Sequence, residues 1–319
     1  MRAITRQLPA LVAVAAIAAA SAACSTSSAS PTPAKSASAG AAFPVTVHTP
    51  GGTTHVPSRP DAIISLSPTA TEMLYAIGAG SQVKAVDDES DYPKQAPMTK
   101  LSGYTPNAEA IAAYQPDLVV ISSNVDGITA KLTALSIPVL ELPAASNLSG
   151  VYAEFTELGA ATGHVAQAKA EDSKLKADIK QIVAAEPAHH DPLTYFYEIS
   201  ANPYYSATSS TFIGSLLALL GMKSIADAAT GAAASGGYPA LSAEFILKAN
   251  PDYIILADTG PTGGGQDAAT VAARPGWSVL TAVKDKHIIL LNTDIASRWG
   301  PRIVDLLRDV AAGIKPGSQ

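Results

Sequence analysis

Asp294 to Arg302 reads DIASRWGPR and gathers an acid, an arginine and one of the two tryptophans in 319 residues. Through the planar fork of its guanidinium, Arg298 can hydrogen-bond a carboxylate, an amide carbonyl or a phosphate of a ligand. Its alternative partners lie within the chain: Asp294, or the acidic run DDESDY at 87–92. Trp299 offers a flat apolar face with one N–H at its edge. The Gly300-Pro301 step that follows launches a helix, so the pair could equally fix a loop. Tyrosines repeat this chemistry: Tyr104 in SGYT, Tyr204 and Tyr205 in NPYYSAT, Tyr238 in GGYPALS. Tyr supplies contact area at low entropic cost and keeps a polar handle. Ser67, Asp88, Glu89, Ser122 and Ser123 add polar groups, while Tyr92 is expected to pack beneath its own loop.

These residue types suit binding better than turnover. The chain has no G-x-S-x-G nucleophile elbow and no G-K-[ST] phosphate loop. GPTGGGQ at 260–266 is rich in glycine but carries no lysine, and reads as a mobile loop. Glu198 and Glu244 stand in unrelated contexts, so paired-carboxylate catalysis has no specific basis. The six histidines do not cluster except for His189-His190, read as linker. A bare-ion site needs several converging ligands, so neither a bound metal nor a cofactor is expected.

Most of the candidates follow strand-like segments, and that placement defines what must hold them. In open α/β sheets, ligands collect beyond the carboxyl ends of the strands. Ala62–Leu66, Val83–Val86 and Pro138–Leu142 read as strands in the first half; Leu193–Ile199, Tyr253–Leu256 and Ile288–Leu291 do so in the second. Ser67-Pro68 caps and opens a helix closing at Gly78. Asp126–Leu135 and Thr211–Leu220 have helical apolar spacing, and Arg302–Ile314 is the closing helix.

A duplication sharpens this. EAIAAYQPDLVVI (109–121) and EFILKANPDYIIL (244–256) share Glu, Ile, a Pro-Asp step and an aliphatic run in register, 135 residues apart. Asn107 and Ser242 precede them as capping residues. Each copy predicts a cap, a two-turn helix, a Pro-Asp stop and a buried strand. The fold class that follows is α/β: two related lobes with mostly parallel sheets, joined by one long α-helix. The helix is polar on one face and spans roughly Val165 to Ala185, about 30 Å at 1.5 Å per residue. Such a connector bends less than extended strands would, so the cleft should open only slightly. The expected lobes are residues 43–147 and 190–319, with 148–189 as the connecting helical segment. VTVHTPGGTTHVP, ahead of the first lobe, reads as a hairpin turned at Gly51-Gly52.

Residues 1–23 read as an export signal: Arg2 and Arg6, then a short apolar run, then small residues before Cys24. Cys24 is the only cysteine, so no internal disulfide can form. The Ser/Ala/Pro-rich stretch to residue 42 cannot bury a core and is expected to be a disordered tether, about 60 Å at full reach. Without Arg2 and Arg6, 19 basic residues face 27 acidic ones, a net charge of −8. That balance argues against nucleic-acid binding, which needs a basic footprint. No run of 18 apolar residues occurs in the body, which is expected to be soluble.

RPDAIISLSPTATEMLYAIGAG, DYPKQA, GYTPNAEAIAAYQPDLVVI and ASRWGPRIVDLL together resemble the substrate-binding lipoproteins of ABC importers for cobalamin and ferric siderophores, over roughly residues 43 to 315. Ser21-Ala22-Ala23-Cys24 likewise resembles a bacterial lipobox, with Ser21 where Leu is usual. Acylation of Cys24 would hold the protein at the outer face of the cell membrane. The resemblance implies a monomer that captures a bulky chelate (ferric siderophore, corrinoid or haem) in a shallow cleft and hands it to a membrane permease dimer. It also implies that Glu109 and Glu244 dock on permease arginines. Pseudo-symmetric glutamates suit a two-fold partner; each alone could simply complement its helix dipole. The acidic DDES run departs from the cobalamin binders, which tend to place an aromatic near Glu89. Sensing or storage without transport, and a cleft enzyme, are the rival readings.

Overall fold

A computed structural model describes residues 42–187 and 190–314. The export signal, Cys24, almost all of the tether and His189 therefore lie outside the described residues.

The body opens with an antiparallel hairpin, β1 (Val45–Thr49) and β2 (Gly52–Val56). Its turn is Pro50-Gly51 rather than the expected Gly51-Gly52, because Gly52 is already paired with Thr49. The hairpin is fastened to the first sheet by the Thr54 hydroxyl, which donates to the Val139 carbonyl at 2.6 Å.

Five parallel strands follow: β3 (Ile63–Leu66), β4 (Val83–Asp87), β5 (Met98–Leu101), β6 (Leu118–Ile121) and β7 (Val139–Glu141), in spatial order β5-β4-β3-β6-β7. They alternate with α1 (Pro68–Ala76), α2 (Ala108–Ala112) and α3 (Ile128–Ala134). Two helices then run in series, α4 (Leu148–Thr162) and α5 (Val165–Ala185). Gly163, in the left-handed region, makes the corner between them.

The second sheet is also parallel, with order β11-β8-β13-β14. Its strands are β8 (Leu193–Glu198), β11 (Met222–Ser224), β13 (Tyr253–Leu256) and β14 (Ile288–Leu290). A small antiparallel sheet of β9 (Ser200–Ala201), β10 (Tyr204–Tyr205) and β12 (Ala240–Leu241) stands beside it. The helices of this half are α6 (Phe212–Ala218), α7 (Ala243–Ala249), α8 (Gly260–Gly263), α9 (Ala268–Ala272), α10 (Thr281–Lys284), α11 (Thr293–Ser297) and α12 (Ile303–Gly313).

Both halves of the sequence repeat fold alike. Asn107 accepts a hydrogen bond from the Ala110 N–H, and Ser242 from the Phe245 N–H, each capping its helix. The Pro-Asp aspartates do equivalent work: Asp117 accepts the N–H groups of Asp61 and Ala62, beside β3, and Asp252 accepts that of Thr194, in β8. The two-turn helix expected is present in α7, with seven residues, whereas α2 is shorter, with five. The expected helix at 126–135 is broken, because Asp126 takes a positive φ of 52° and only Ile128–Ala134 is α-helical.

Strand residues alternate between faces. Ile63, Leu118 and Val120 enter a large core that also takes in α4, α5, α12 and, from the second sheet, Tyr195, Tyr253 and Ile255. Ile64, Val119 and Ile121 face a separate cluster, and Phe196, Ile254 and Leu256 a third, built around Trp277. One core thus runs continuously from sheet to sheet alongside the connecting helices.

Candidate ligand-binding cleft

The first sheet ends in a row of loops, each following a parallel strand. Ser67 follows β3, caps α1 through a hydroxyl that accepts the Ala70 N–H at 3.3 Å, and is buried. Asp87, Asp88, Glu89 and Asp91 follow β4; Gly103 and Tyr104 follow β5; Ser122 and Ser123 follow β6. Gly103 is close enough that a Cβ would lie 2.7 Å from the Leu66 carbonyl oxygen, so only glycine lets this loop approach β3. Facing this row is Thr293–Trp299, which follows β14. Between them lies a cavity of about 770 Å³. A second cavity of about 320 Å³ opens at the carboxyl ends of the second sheet, walled by Tyr197, Phe212, Leu216, Tyr238 and Ile303. Thr293, Ser297, Arg298 and Trp299 line both.

Arg298 is nearly buried, at 7% side-chain exposure, and reaches across to the first half. Its Nη1 donates to Glu72 Oε1 at 3.1 Å and to Asp91 Oδ1 at 2.9 Å; Nη2 donates to the Glu89 carbonyl at 2.9 Å and lies 3.3 Å from Asp294. Both internal alternatives raised by the sequence, Asp294 and the acidic run, are therefore realised. Arg302 forks onto Glu72 with contacts of 2.9 and 2.5 Å, and its guanidinium covers the Tyr92 ring at 4.2 Å. Tyr92 is half exposed beneath it rather than tucked under its own loop.

Trp299 is held from a third direction. Its indole N–H donates to both oxygens of Glu154, at 3.2 and 3.0 Å. Glu154 sits on the inner face of α4, and burial pushes its pKa up to about 8; the Trp299 hydrogen bond partly opposes this and Glu157 adds to it. Burial likewise raises Asp87 to about 6, with Ser90 opposing and Asp88 and Glu89 reinforcing.

The expected tyrosines divide. Tyr104 stands at the lip of the larger cavity, three-quarters exposed, and Tyr238 lines the smaller one, so the two do not share a wall. Tyr204 and Tyr205 line neither. Tyr204 packs against Trp277 and Phe196, with ring centroids 5.3 and 6.4 Å away, and the Arg274 guanidinium covers both Tyr204 and Trp277. Arg274 in turn forks onto the buried Glu198 at 2.5 and 2.6 Å and donates to Gln266 at 2.7 Å. Nearby Asp258 is raised to about 7 by burial and by the Glu198 charge. In GPTGGGQ, α8 places Gly263 where a Cβ would lie 2.7 Å from Thr293 Oγ1, and Gln266 accepts from Arg274.

Among the described residues no group of His, Cys, Asp and Glu could hold a metal ion, and no helix is long and apolar enough to cross a membrane. What the arrangement offers is an aromatic, partly apolar cleft at the carboxyl ends of two parallel sheets, the place where such folds hold small molecules.

Residues 63–295 match the family described as periplasmic binding protein. The chain belongs to that family. Its relatives include an ABC transporter substrate-binding lipoprotein of Bacillus subtilis, 30% identical over 86% of each chain. The periplasmic vitamin B12-binding protein of Vibrio cholerae has the same fold, with a TM-score of 0.64 and 25% identity over 80% of this chain and 96% of that one. A possible iron-binding periplasmic solute-binding protein of Staphylococcus epidermidis superposes with a TM-score of 0.68 and 28% identity, over 80% and 99%. Periplasmic binding proteins are binding proteins of the extracytoplasmic space.

Within this periplasmic binding protein, Glu109 and Glu244 occupy the first turns of α2 and α7, both exposed. Sequence reasoning missed Glu72, Asp91 and Glu154. The available signal was a glutamate inside an apolar helix face, in ATEMLYA and VYAEFTEL, where an unpaired charge would not be tolerated.

Proposed function

We propose that this protein is the extracytoplasmic substrate-binding lipoprotein of an ABC importer, capturing a bulky metal chelate in the cleft and delivering it to a permease dimer. The observation that carries this reading is the pair of adjoining cavities walled by Tyr104, Tyr238 and Trp299, together large enough for a chelate well beyond amino-acid size. The B12-binding and iron-binding relatives support the chelate class, leaving corrinoid, ferric siderophore and haem as candidates. In this reading Cys24 carries the lipid anchor, residues 43–147 and 190–319 are the lobes, and 148–189 joins them. Glu109 and Glu244 dock on the permease, no catalytic step takes place, and the protein works as a monomer.

The test is titration of the full chain with cyanocobalamin, a ferric trihydroxamate and hemin, read by tryptophan fluorescence. Trp299 lines the cleft and should be quenched, whereas Trp277 is wholly buried in its own cluster. Absence of binding by all three overturns the reading. Glu109→Ala with Glu244→Ala should keep ligand affinity and abolish uptake by cells; unchanged uptake overturns the docking assignment and favours a sensing or storage role.

A further inference from the structure

The larger cavity is one-sided in charge. Five carboxylate residues line it, Asp87, Asp88, Glu89, Asp91 and Asp294, against a single cation, Arg298. That cation is already engaged, since its guanidinium serves Glu72, Asp91, Asp294 and the Glu89 carbonyl. The start of α1, which could otherwise attract an anion, is also largely used. Pro68 has no N–H to offer, and that of Ala70 is taken by the Ser67 hydroxyl. An anionic group entering here would meet five carboxylate residues and no cation that is free of a carboxylate partner, with only hydroxyls such as Ser122 and Ser123 to donate to it.

One of these acceptors is unfilled. Asp87 is only 2% exposed and lines the cavity, yet its Oδ1 has no hydrogen-bond partner, although Ser90 serves the carboxyl group. A buried carboxylate oxygen without a donor is costly, and it stands directly behind the acidic wall of the cavity, adding to the negative potential there. At the rim, the exposed ring of Tyr104 presents a π-face that attracts cations. The adjoining smaller cavity is the opposite in character, with Phe212, Leu216, Ile303 and Leu306 among its walls. The site is thus bipartite: acceptor-rich beside β4, apolar and aromatic beyond Trp299.

We infer that the cleft selects, among metal chelates, those presenting a cationic N–H-donating group to the Asp87–Asp91 wall, and disfavours chelates that place carboxylates there. This rests on the chelate-capture reading above and narrows it. Positive charge supplies the counter-charge that Asp88 and Glu89 lack, with Asp87 behind them, while the apolar remainder of the ligand lies against Trp299 and Tyr238.

Two ferric trihydroxamates that differ in one group test it: ferrioxamine B, with a free terminal ammonium, and its neutral N-acetyl derivative. Titrated into the full chain at low salt, the ammonium form should bind about tenfold more tightly, as expected for a partly screened charge beside several carboxylates. The advantage should shrink toward unity in 0.5 M salt and in Asp88→Asn with Glu89→Gln. Neither of those side chains holds the Arg298 guanidinium, so that variant should also keep the parent melting temperature. Equal affinity for the two hydroxamates, a preference for the acetylated form, or tighter binding of hemin, which carries two carboxylates, than of the ammonium form would overturn the charge selection and leave chelate capture standing. So would binding of cyanocobalamin or hemin with no binding of the ammonium form. Failure of both hydroxamates, hemin and cyanocobalamin together would remove the proposed function and this inference with it.

Discussion

Replacing Glu72 by alanine should be among the most damaging single changes available outside the apolar core. Glu72 has no exposed side-chain surface and accepts from two guanidiniums, themselves 7% and 14% exposed. At 3.1 Å and an effective dielectric of about 20, the Arg298 contact alone is worth about 5 kcal/mol of gross attraction. Desolvation offsets much of that, but removing one partner from a buried pair leaves uncompensated charge, which typically costs about 3–5 kcal/mol. The two arginines are not left equally stranded. Arg298 keeps direct ion pairs with Asp91 and Asp294, whereas Arg302 keeps its stacking on Tyr92 and the more distant charge of Asp294. Arg302→Met, by contrast, leaves Glu72 paired with Arg298 and should cost about 1–3 kcal/mol. The assay is urea denaturation of parent and variants, supported by thermal melting. At about 2–4 °C per kcal/mol for a body of this size, Glu72→Ala should melt about 6–20 °C lower. A loss below about 1 kcal/mol, or equal losses for Glu72→Ala and Arg302→Met, would refute the idea that Glu72 is the shared anchor.

Glu154 makes stability depend on pH with a definite sign. Its folded pKa of about 8 lies above its ordinary 4.5, so between those values the folded protein holds a proton that the unfolded chain has released. The stabilisation is complete below about pH 4.5 and is lost as pH rises toward 8, by at most about 1.4 kcal/mol per pH unit. Asp87 and Asp258, raised to about 6 and 7, act in the same direction. Glu154→Gln should therefore flatten the denaturation midpoint between pH 5 and 9 and exceed the parent at pH 9; parallel pH curves would contradict this. Tyr238→Ala should weaken ligand binding with little effect on melting, and Tyr204→Ala should cost about 2–3 kcal/mol of stability with unchanged affinity. Reversal of those two phenotypes, read by titration and melting, would misplace the site.

The features legible in the sequence were those encoded locally. The Glu-to-Pro-Asp repeat announced two equivalent helix-strand units, and Asn107 and Ser242 cap them as their types require. Val165–Ala185 was readable to the residue because its apolar stripe persists over 21 residues. Short elements were less legible, since a single left-handed residue such as Asp126 can end a helix that apolar spacing would continue. Loop position after a strand was the legible feature of the cleft, and Ser67, Glu89, Tyr104, Asp294, Arg298 and Trp299 all line one cavity. It could not separate Tyr204 from Tyr238, because what draws Tyr204 away is Trp277, 73 residues distant in sequence. Glu72 and Glu154 stood out only as glutamates within apolar helix faces; their role was hidden for the same reason, since it depends on partners 230 and 145 residues further on.

Those two separations bear on the order in which the molecule can be completed. Contacts so remote in sequence form late, after more local structure has closed the intervening loops. Until residues 298–302 dock, two carboxylates from the first half sit in nascent apolar surroundings without donors, and the half-built body carries that penalty. The closing segment therefore works as a completeness check on the polypeptide. A chain terminated before residue 298 lacks one wall of the cleft and the inter-half contacts of Arg298, Trp299 and Arg302 in one event.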